Sequence, residues 1–293
     1  MKNTIFKGMA TALITPMTKD GVDYDALGRF IDFQIENGIN ALVAVGTTGE
    51  NATLEPADQK EVIRFTVERA AGRVPVIAGT NNTAHVLENT RNACEVGADA
   101  VLVVTPYYNK ATQAGLVAHF TAVADASTVP VILYNVPGRT GCNLLPKTVA
   151  KLAEHPNIAA IKEATGNMAQ MVELKALCGD KIDIYSGEDA LTVPFISMGA
   201  AGTISVLSNV VPKLAVEMTD KALAGDFAGA AELQCKLLPL TNALFSEVNP
   251  IPVKAAVSAM GFGEEILRMP LTPMEPATRA VLFEEMRKLG IRV

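Results

Sequence analysis

Ile158-Ala159-Ala160-Ile161-Lys162 is a run of four apolar residues closed by a lysine, with Pro156-Asn157 before it and Glu163-Ala164-Thr165-Gly166 after it. An apolar run this short, bounded by polar and turn-forming residues, reads as a strand buried on both faces, the kind found in parallel sheets. Runs of the same type lie on either side. Toward the C terminus they are Ile182–Ser186 and Gly202–Val206, and toward the N terminus Val129–Tyr134, Ala100–Val104, Pro75–Ala78, Ala41–Val45 and Met9–Ile14, which makes eight. The segments between them carry helical spacing. Tyr24–Glu36, for example, places Leu27, Phe30, Ile31 and Ile35 on one face. Asn37-Gly38, Ala71-Gly72 and Val96-Gly97-Ala98 are helix stops.

Strict strand–helix alternation predicts a parallel sheet with right-handed crossovers. Eight units fit an α/β fold of the (β/α)8 TIM-barrel type. The alternative, a doubly wound open sheet that binds a dinucleotide, calls for a Gly-x-Gly-x-x-Gly turn, which is absent after the first strands. Beyond the eighth strand, Pro212–Ala224, Phe227–Phe245, Pro252–Met260 and Pro276–Leu289 read as helices, more than the last barrel unit needs. The expected organisation is a catalytic barrel over 1–225 with a C-terminal helical extension over 226–293, packed on it within one domain because no linker separates them.

The 293 residues are 49% hydrophobic and 19% charged, enough to bury a large core. A formal net charge of -6 argues against a nucleic-acid partner. Met1-Lys2-Asn3-Thr4-Ile5-Phe6-Lys7 has no apolar stretch of signal-peptide length, and later apolar runs are broken before membrane-spanning length, so no membrane partner and a cytoplasmic location are expected. Cys94, Cys142, Cys178 and Cys235 lack paired spacing and are read as buried or half-buried free thiols. His85, His119 and His155 stand far apart, so no metal site is expected.

In a barrel of this kind the chemistry sits at the carboxyl ends of the strands. The segments found there are Thr15-Pro16, Gly46-Thr47-Thr48-Gly49-Glu50, Thr105-Pro106-Tyr107-Tyr108-Asn109, Tyr134-Asn135-Val136-Pro137-Gly138-Arg139-Thr140, Lys162-Glu163-Ala164-Thr165, Ser186-Gly187-Glu188-Asp189 and Ser205. Lys162 would enter the barrel mouth with little water around it. Desolvation penalises the ammonium and favours the neutral amine that imine formation requires. The alternative is a lysine paired with Glu163 or another rim acid. Gly46–Glu50 offers backbone N–H groups and two hydroxyls suited to a carboxylate, or else a plain turn in which Thr48 or Asn51 caps the next helix. Tyr134 and Tyr108 are candidate proton relays or rim aromatics. Arg139 has a fork that fits a substrate carboxylate or a surface ion pair. Asn249-Pro250-Ile251-Pro252-Val253-Lys254 reads as a helix start, with Asn249 as N-cap.

Taken together, Gly46–Glu50, Thr105–Tyr108, Tyr134–Thr140 and Ile161-Lys162-Glu163-Ala164 resemble the pyruvate-dependent Schiff-base lyase and aldolase superfamily, and within it the dihydrodipicolinate synthases. The likeness extends to Thr15-Pro16-Met17, Ser186–Asp189 and Asn249–Lys254, in the family's order. The resemblance implies that Lys162 attacks the pyruvate ketone while Tyr134 moves protons, and that Thr47 links Tyr134 to a Tyr108 reaching in from a neighbouring subunit of a homo-oligomer, a dimer or dimer of dimers. Thr48 would hold the pyruvate carboxylate, and Gly187 and Ile204 would line the pocket. Arg139 would steer L-aspartate 4-semialdehyde, and the product would be 4-hydroxy-tetrahydrodipicolinate. No organic cofactor is implied. The rivals are N-acetylneuraminate lyases and 2-keto-3-deoxy sugar-acid aldolases, which typically lack the arginine of the Val136–Thr140 loop; a non-catalytic oxo-acid- or amino-acid-binding barrel would lose the lysine or tyrosine. Lysine-sensitive relatives carry two histidines where this chain has Pro56 and Gln59, and a glutamate where it has His85, with Glu88 one turn on; Tyr107 and Asn82 match. Weak or absent feedback by L-lysine is therefore expected.

Overall fold

The computed structural model describes residues 4–179 and 181–293; the first three residues of the N-terminal stretch read above lie outside them. All eight expected strands are present as β1 (Gly8–Ala12), β2 (Ala41–Ala44), β3 (Val76–Thr80), β4 (Ala100–Val104), β5 (Val131–Asn135), β6 (Ile158–Glu163), β7 (Asp183–Ser186) and β8 (Gly202–Ser205). They form a closed barrel of parallel strands. Closure is explicit in the pairing of β1 with β8, Gly8 opposite Gly202. The open-sheet alternative fails there, because an open sheet leaves its edge strands unpaired.

Several strand ends differ from expectation for local reasons. β5 starts at Val131 because Pro130 has no N–H to give to a ladder. β2 stops at Ala44 because Val45 has φ of 54°, outside the strand region. A short hairpin, Met17–Thr18 against Gly21–Val22, precedes the first helix; two-residue strands are too short to show a period. The helix Tyr24–Glu36 has the expected bounds, with the Asp23 side chain accepting from the Ala26 N–H at 2.9 Å.

Alternate residues along each strand divide two apolar layers. Ala10, Ala12, Ala41, Ala100 and Ala160 point inward with Ile77, Ile132 and Ile204. Met9, Leu42, Val101, Leu133, Ile161 and Ile184 point outward onto the helices. The inward alanines leave space that a few larger side chains fill. Phe6 and Tyr185 stack at 4.2 Å and 6°, and the Tyr185 hydroxyl donates to the Phe6 carbonyl at 2.8 Å, closing the amino end. No helix among the described residues is long and apolar enough to cross a membrane.

The later helices span Pro212–Leu223, Phe227–Leu244, Ile251–Ala259 and Pro276–Lys288. Two readings need correction. Pro250, not Asn249, occupies the N-cap position, and no side chain caps that helix; the Asn249 amide is turned to Thr48 instead. Among the thiols, Cys142 and Cys178 are buried and Cys94 half-buried, but Cys235 is exposed on the outer face of Phe227–Leu244.

Lys254, in the helix Ile251–Ala259, makes a salt bridge with Glu50 in the loop after β2, and both side chains are 1% exposed. Glu50 also accepts from the Arg268 backbone N–H at 3.0 Å, and the Arg268 guanidinium donates to the Thr53 carbonyl. Burial pushes the Lys254 amine down and the Glu50 carboxylate opposes that. Removing one member of such a pair strands the other charge, whereas removing both is far milder. Lys254→Met should therefore lower unfolding stability by about 3–5 kcal/mol, and adding Glu50→Gln should restore much of it. Denaturant titration of the two variants reads this directly; a Lys254→Met protein as stable as wild type would show that the pair does not hold the extension to the loop.

Candidate active site

A cavity of about 70 Å3 lies at the carboxyl end of the barrel, and Thr47, Thr48, Tyr134, Arg139, Lys162 and Gly187 are on its wall. Six residues chosen from sequence thus meet at one place. Lys162 shares the inward face of β6 with Ala160, and Tyr134 lies opposite it on β5. Its Nζ is 4.4 Å from the centroid of the Tyr134 ring, and Lys162 is only 6% exposed.

Glu163 is on the other face of the same strand. Its carboxylate accepts from Asn135 Nδ2 at 3.0 Å, Gln170 Nε2 at 3.2 Å and the Thr165 N–H at 2.8 Å. Burial raises its pKa and these donors oppose the rise. The Lys162–Glu163 ion pair considered above is excluded by this geometry. Space for the lysine comes from Gly187, where a Cβ would sit 2.6 Å from the Ala164 Cβ and 3.0 Å from Lys162 Cε.

The Gly46–Glu50 loop is held by its own turns, Gly49 N–H to the Gly46 carbonyl at 3.0 Å and Glu50 N–H to the Thr47 carbonyl at 3.2 Å. The Thr15 hydroxyl donates to the Gly49 carbonyl at 2.8 Å. Val45 and Glu50 flank the loop with φ of 54° and 58°. A β-branched residue in that region costs about 1–3 kcal/mol and persists only where its surroundings dictate it. Gly79 is part of those surroundings: a Cβ there would lie 2.3 Å from the Val45 carbonyl oxygen. The next helix starts at Pro56 without a side-chain cap, so neither Thr48 nor Asn51 serves as one. Thr48 is buried and accepts from Asn249 Nδ2 at 3.0 Å.

Arg139 projects from the helical turn Pro137–Thr140, and its Nη2 donates to the Asn249 carbonyl at 3.2 Å. It stands where the cavity opens into a vestibule of about 270 Å3 that also touches Tyr107 and Val248. Two placements differ from the rest. Tyr108 is 92% exposed, with φ of 66°, and is not on its own chain's cavity wall. Ile204 packs inside the barrel near Ala10 and Tyr185, while Val206 reaches the wall.

In the sequence Glu188 and Asp189 stand only as part of the rim segment Ser186–Asp189. Glu188 lines the cavity; burial and the neighbouring Asp189 raise its pKa, while Lys162 and Arg139 pull it down. Asp189 is buried beneath, accepting from the Ser205 hydroxyl and from the N–H groups of Val206 and Leu207 at 2.9 and 3.0 Å, and its burial raises its pKa against those bonds. Paired carboxylates directly after a barrel strand were the available signal.

A parallel barrel that delivers a buried lysine beside a tyrosine, under a loop rich in hydroxyls and N–H groups, defines the class of lysine-imine barrel enzymes. Residues 5–288 match the model of the dihydrodipicolinate synthetase family. The 4-hydroxy-tetrahydrodipicolinate synthase of Geobacter sulfurreducens is 51% identical over 286 residues, covering 97% of this chain and 99% of that protein. The dihydrodipicolinate synthase of Aquifex aeolicus superposes with a TM-score of 0.96 at 45% identity, covering 98% of this chain and 99% of that one. The chloride-inhibited enzyme of Acinetobacter baumannii, complexed with pyruvate, gives 0.96 at 44% identity over 98% and 100%. This chain belongs to the dihydrodipicolinate synthetase family.

Gly187→Ala should push the Lys162 side chain aside. Overpacking of this kind costs about 1–3 kcal/mol, so the variant should fold with a lowered melting temperature yet fail to form a borohydride-trapped adduct with a small oxo acid. Normal trapping in a folded variant would show that the lysine does not need that space.

Proposed function

We propose that this chain condenses pyruvate with L-aspartate 4-semialdehyde through an imine on Lys162, giving 4-hydroxy-tetrahydrodipicolinate for the synthesis of diaminopimelate and lysine. The observation that carries the reading is the buried Lys162 amine poised over Tyr134 in a small cavity whose wall is part polar, part apolar. The amine adds to the pyruvate ketone and water leaves from the carbinolamine, with Tyr134 carrying the protons. The imine then accepts electrons as a methyl proton departs, and the enamine carbon attacks the aldehyde. The substrate's amino group finally adds to the imine carbon, closing the ring and expelling Lys162 as free amine. Nothing in these steps needs a cofactor.

Thr48 and the N–H groups of its loop hold the pyruvate carboxylate, Gly187 shapes the pocket while Ile204 packs inside the barrel, and Arg139 meets the second carboxylate at the mouth. That arginine favours the semialdehyde over a polyhydroxylated sugar acid, which would present hydroxyls there. Thr47 connects Tyr134 to a Tyr108 supplied by a second copy; the exposure of Tyr108, which does not line its own chain's cavity, supports an assembly of at least two chains, and a dimer of dimers is the form we favour. The location proposed is the cytoplasm.

Incubation with pyruvate and borohydride should label a single lysine, identified by peptide mass as Lys162; labelling elsewhere, or undiminished labelling in Lys162→Ala, would refute the mechanism. Tyr134→Phe should keep the fold and lose about 10²–10⁴-fold in turnover, and wild-type rates in that variant would remove the tyrosine from the chemistry.

The proposal of weak feedback is supported by a neighbouring pocket walled by Asn51, Glu55, Pro56, Gln59, Asn82 and Tyr107. The Gln59 amide is engaged there, donating to the Asn51 and Leu54 carbonyls at 2.9 Å each. His85 and Glu88 face each other across 3.3 Å at the surface and are not on the wall. Glu55 is on it but exposed, and exposed ion pairs are worth about 0–1 kcal/mol. A ligand ammonium deprived of a buried carboxylate loses about 2–5 kcal/mol, so L-lysine should bind about 30-fold or more weakly than in sensitive relatives. A lysine titration of initial rates at fixed pyruvate checks this, and cooperative inhibition at submillimolar lysine would contradict it.

A further inference from the structure

The side chain of Asn249 is 6% exposed and lies between the two residues assigned to the substrates' carboxylates. Its Nδ2 donates to Thr48 Oγ1 at 3.0 Å, and its backbone carbonyl accepts from Arg139 at 3.2 Å. It is on the wall of both the inner cavity and the vestibule. The helix that follows takes no cap from it. Its Oδ1 is buried with no hydrogen-bond partner, which destabilises the fold and calls for an explanation. Turning the amide over would give Oδ1 the Thr48 hydroxyl proton, so the orientation matters chemically.

A threonine hydroxyl has one proton and two acceptor positions. With an N–H already on the oxygen, its own proton is released to donate elsewhere. We infer that Asn249 is a positioning residue for the first substrate: by donating to Thr48 it directs the Thr48 hydroxyl proton into the cavity, toward the carboxylate of the oxo acid. The inference rests on the proposed role of Thr48. Arg139 is held through the backbone of Asn249, so a side-chain substitution should separate the two substrates.

Asn249→Asp keeps the size but offers only acceptors at neutral pH, drawing the Thr48 proton to itself and setting a negative charge near that of the oxo acid. Half-saturation for pyruvate, in turnover and in borohydride trapping on Lys162, should rise about 10- to 100-fold, the range for a lost hydrogen bond to a charged group. KM for the aldehyde and kcat at saturating pyruvate should stay within about threefold, whereas a merely structural role would move all of them together with the melting temperature. In a Thr48→Val background the uncharged Asn249→Ala, which removes the donor without setting a charge beside the oxo acid, should add little, because the two side chains act as one unit. If Asn249→Asp does not fold, the pyruvate dependence is read in Asn249→Ala instead. Unchanged pyruvate dependence, or effects of the two sites that simply add, would overturn the inference while leaving the function intact. No wild-type adduct on Lys162 would instead overturn the function itself.

Discussion

Along β6 successive side chains alternate faces, so Lys162 enters the barrel and Glu163 turns outward into a nest of three donors. Had both faced the cavity, they would pair at about 4 Å with roughly 4 kcal/mol of attraction at an effective dielectric of 20. That energy would oppose loss of a proton from the amine. The strand's period of two keeps the nearest acid in sequence from pairing with the lysine proposed to form the imine, and the cavity acid that does face it, Glu188, comes from the loop after the next strand.

Around that lysine the structure supplies shape by subtraction. Ala160 and Ala164 are small, Gly187 has no side chain where Lys162 Cε passes, and Gly79 lets the loop after β2 come within contact of β3. The barrel's other end is filled by Phe6 on Tyr185. The polar groups are then set on this frame from several strands at once, which is how a barrel places reacting groups without a flexible loop carrying them all.

The fold was largely legible because apolar strand runs and a helix such as Tyr24–Glu36 carry their periods locally. What was not legible depends on contacts far along the chain or beyond it. Asn249 reads as a cap from its neighbours, and only the folded chain sets it beside Thr48, 201 residues away. Val45 reads as strand because nothing local announces its left-handed turn, which the close approach of Gly79 accompanies. Glu188 and Asp189 read as an ordinary polar loop, and their burial is a tertiary fact. The place of Tyr108 needs a second chain.

The loop that carries Thr47 and Thr48 is anchored through Glu50 to Lys254, from one of the last helices. Chains are made from the N terminus, and the eight strands emerge before that lysine does. Until it arrives, Glu50 would have to stay wet or lie buried without its countercharge, so a barrel still on the ribosome, though complete in its strands, lacks the anchor of the loop after β2. Order in the loop proposed to hold substrate is thereby tied to a residue made late, and a chain broken off before Lys254 would leave Glu50 without its countercharge.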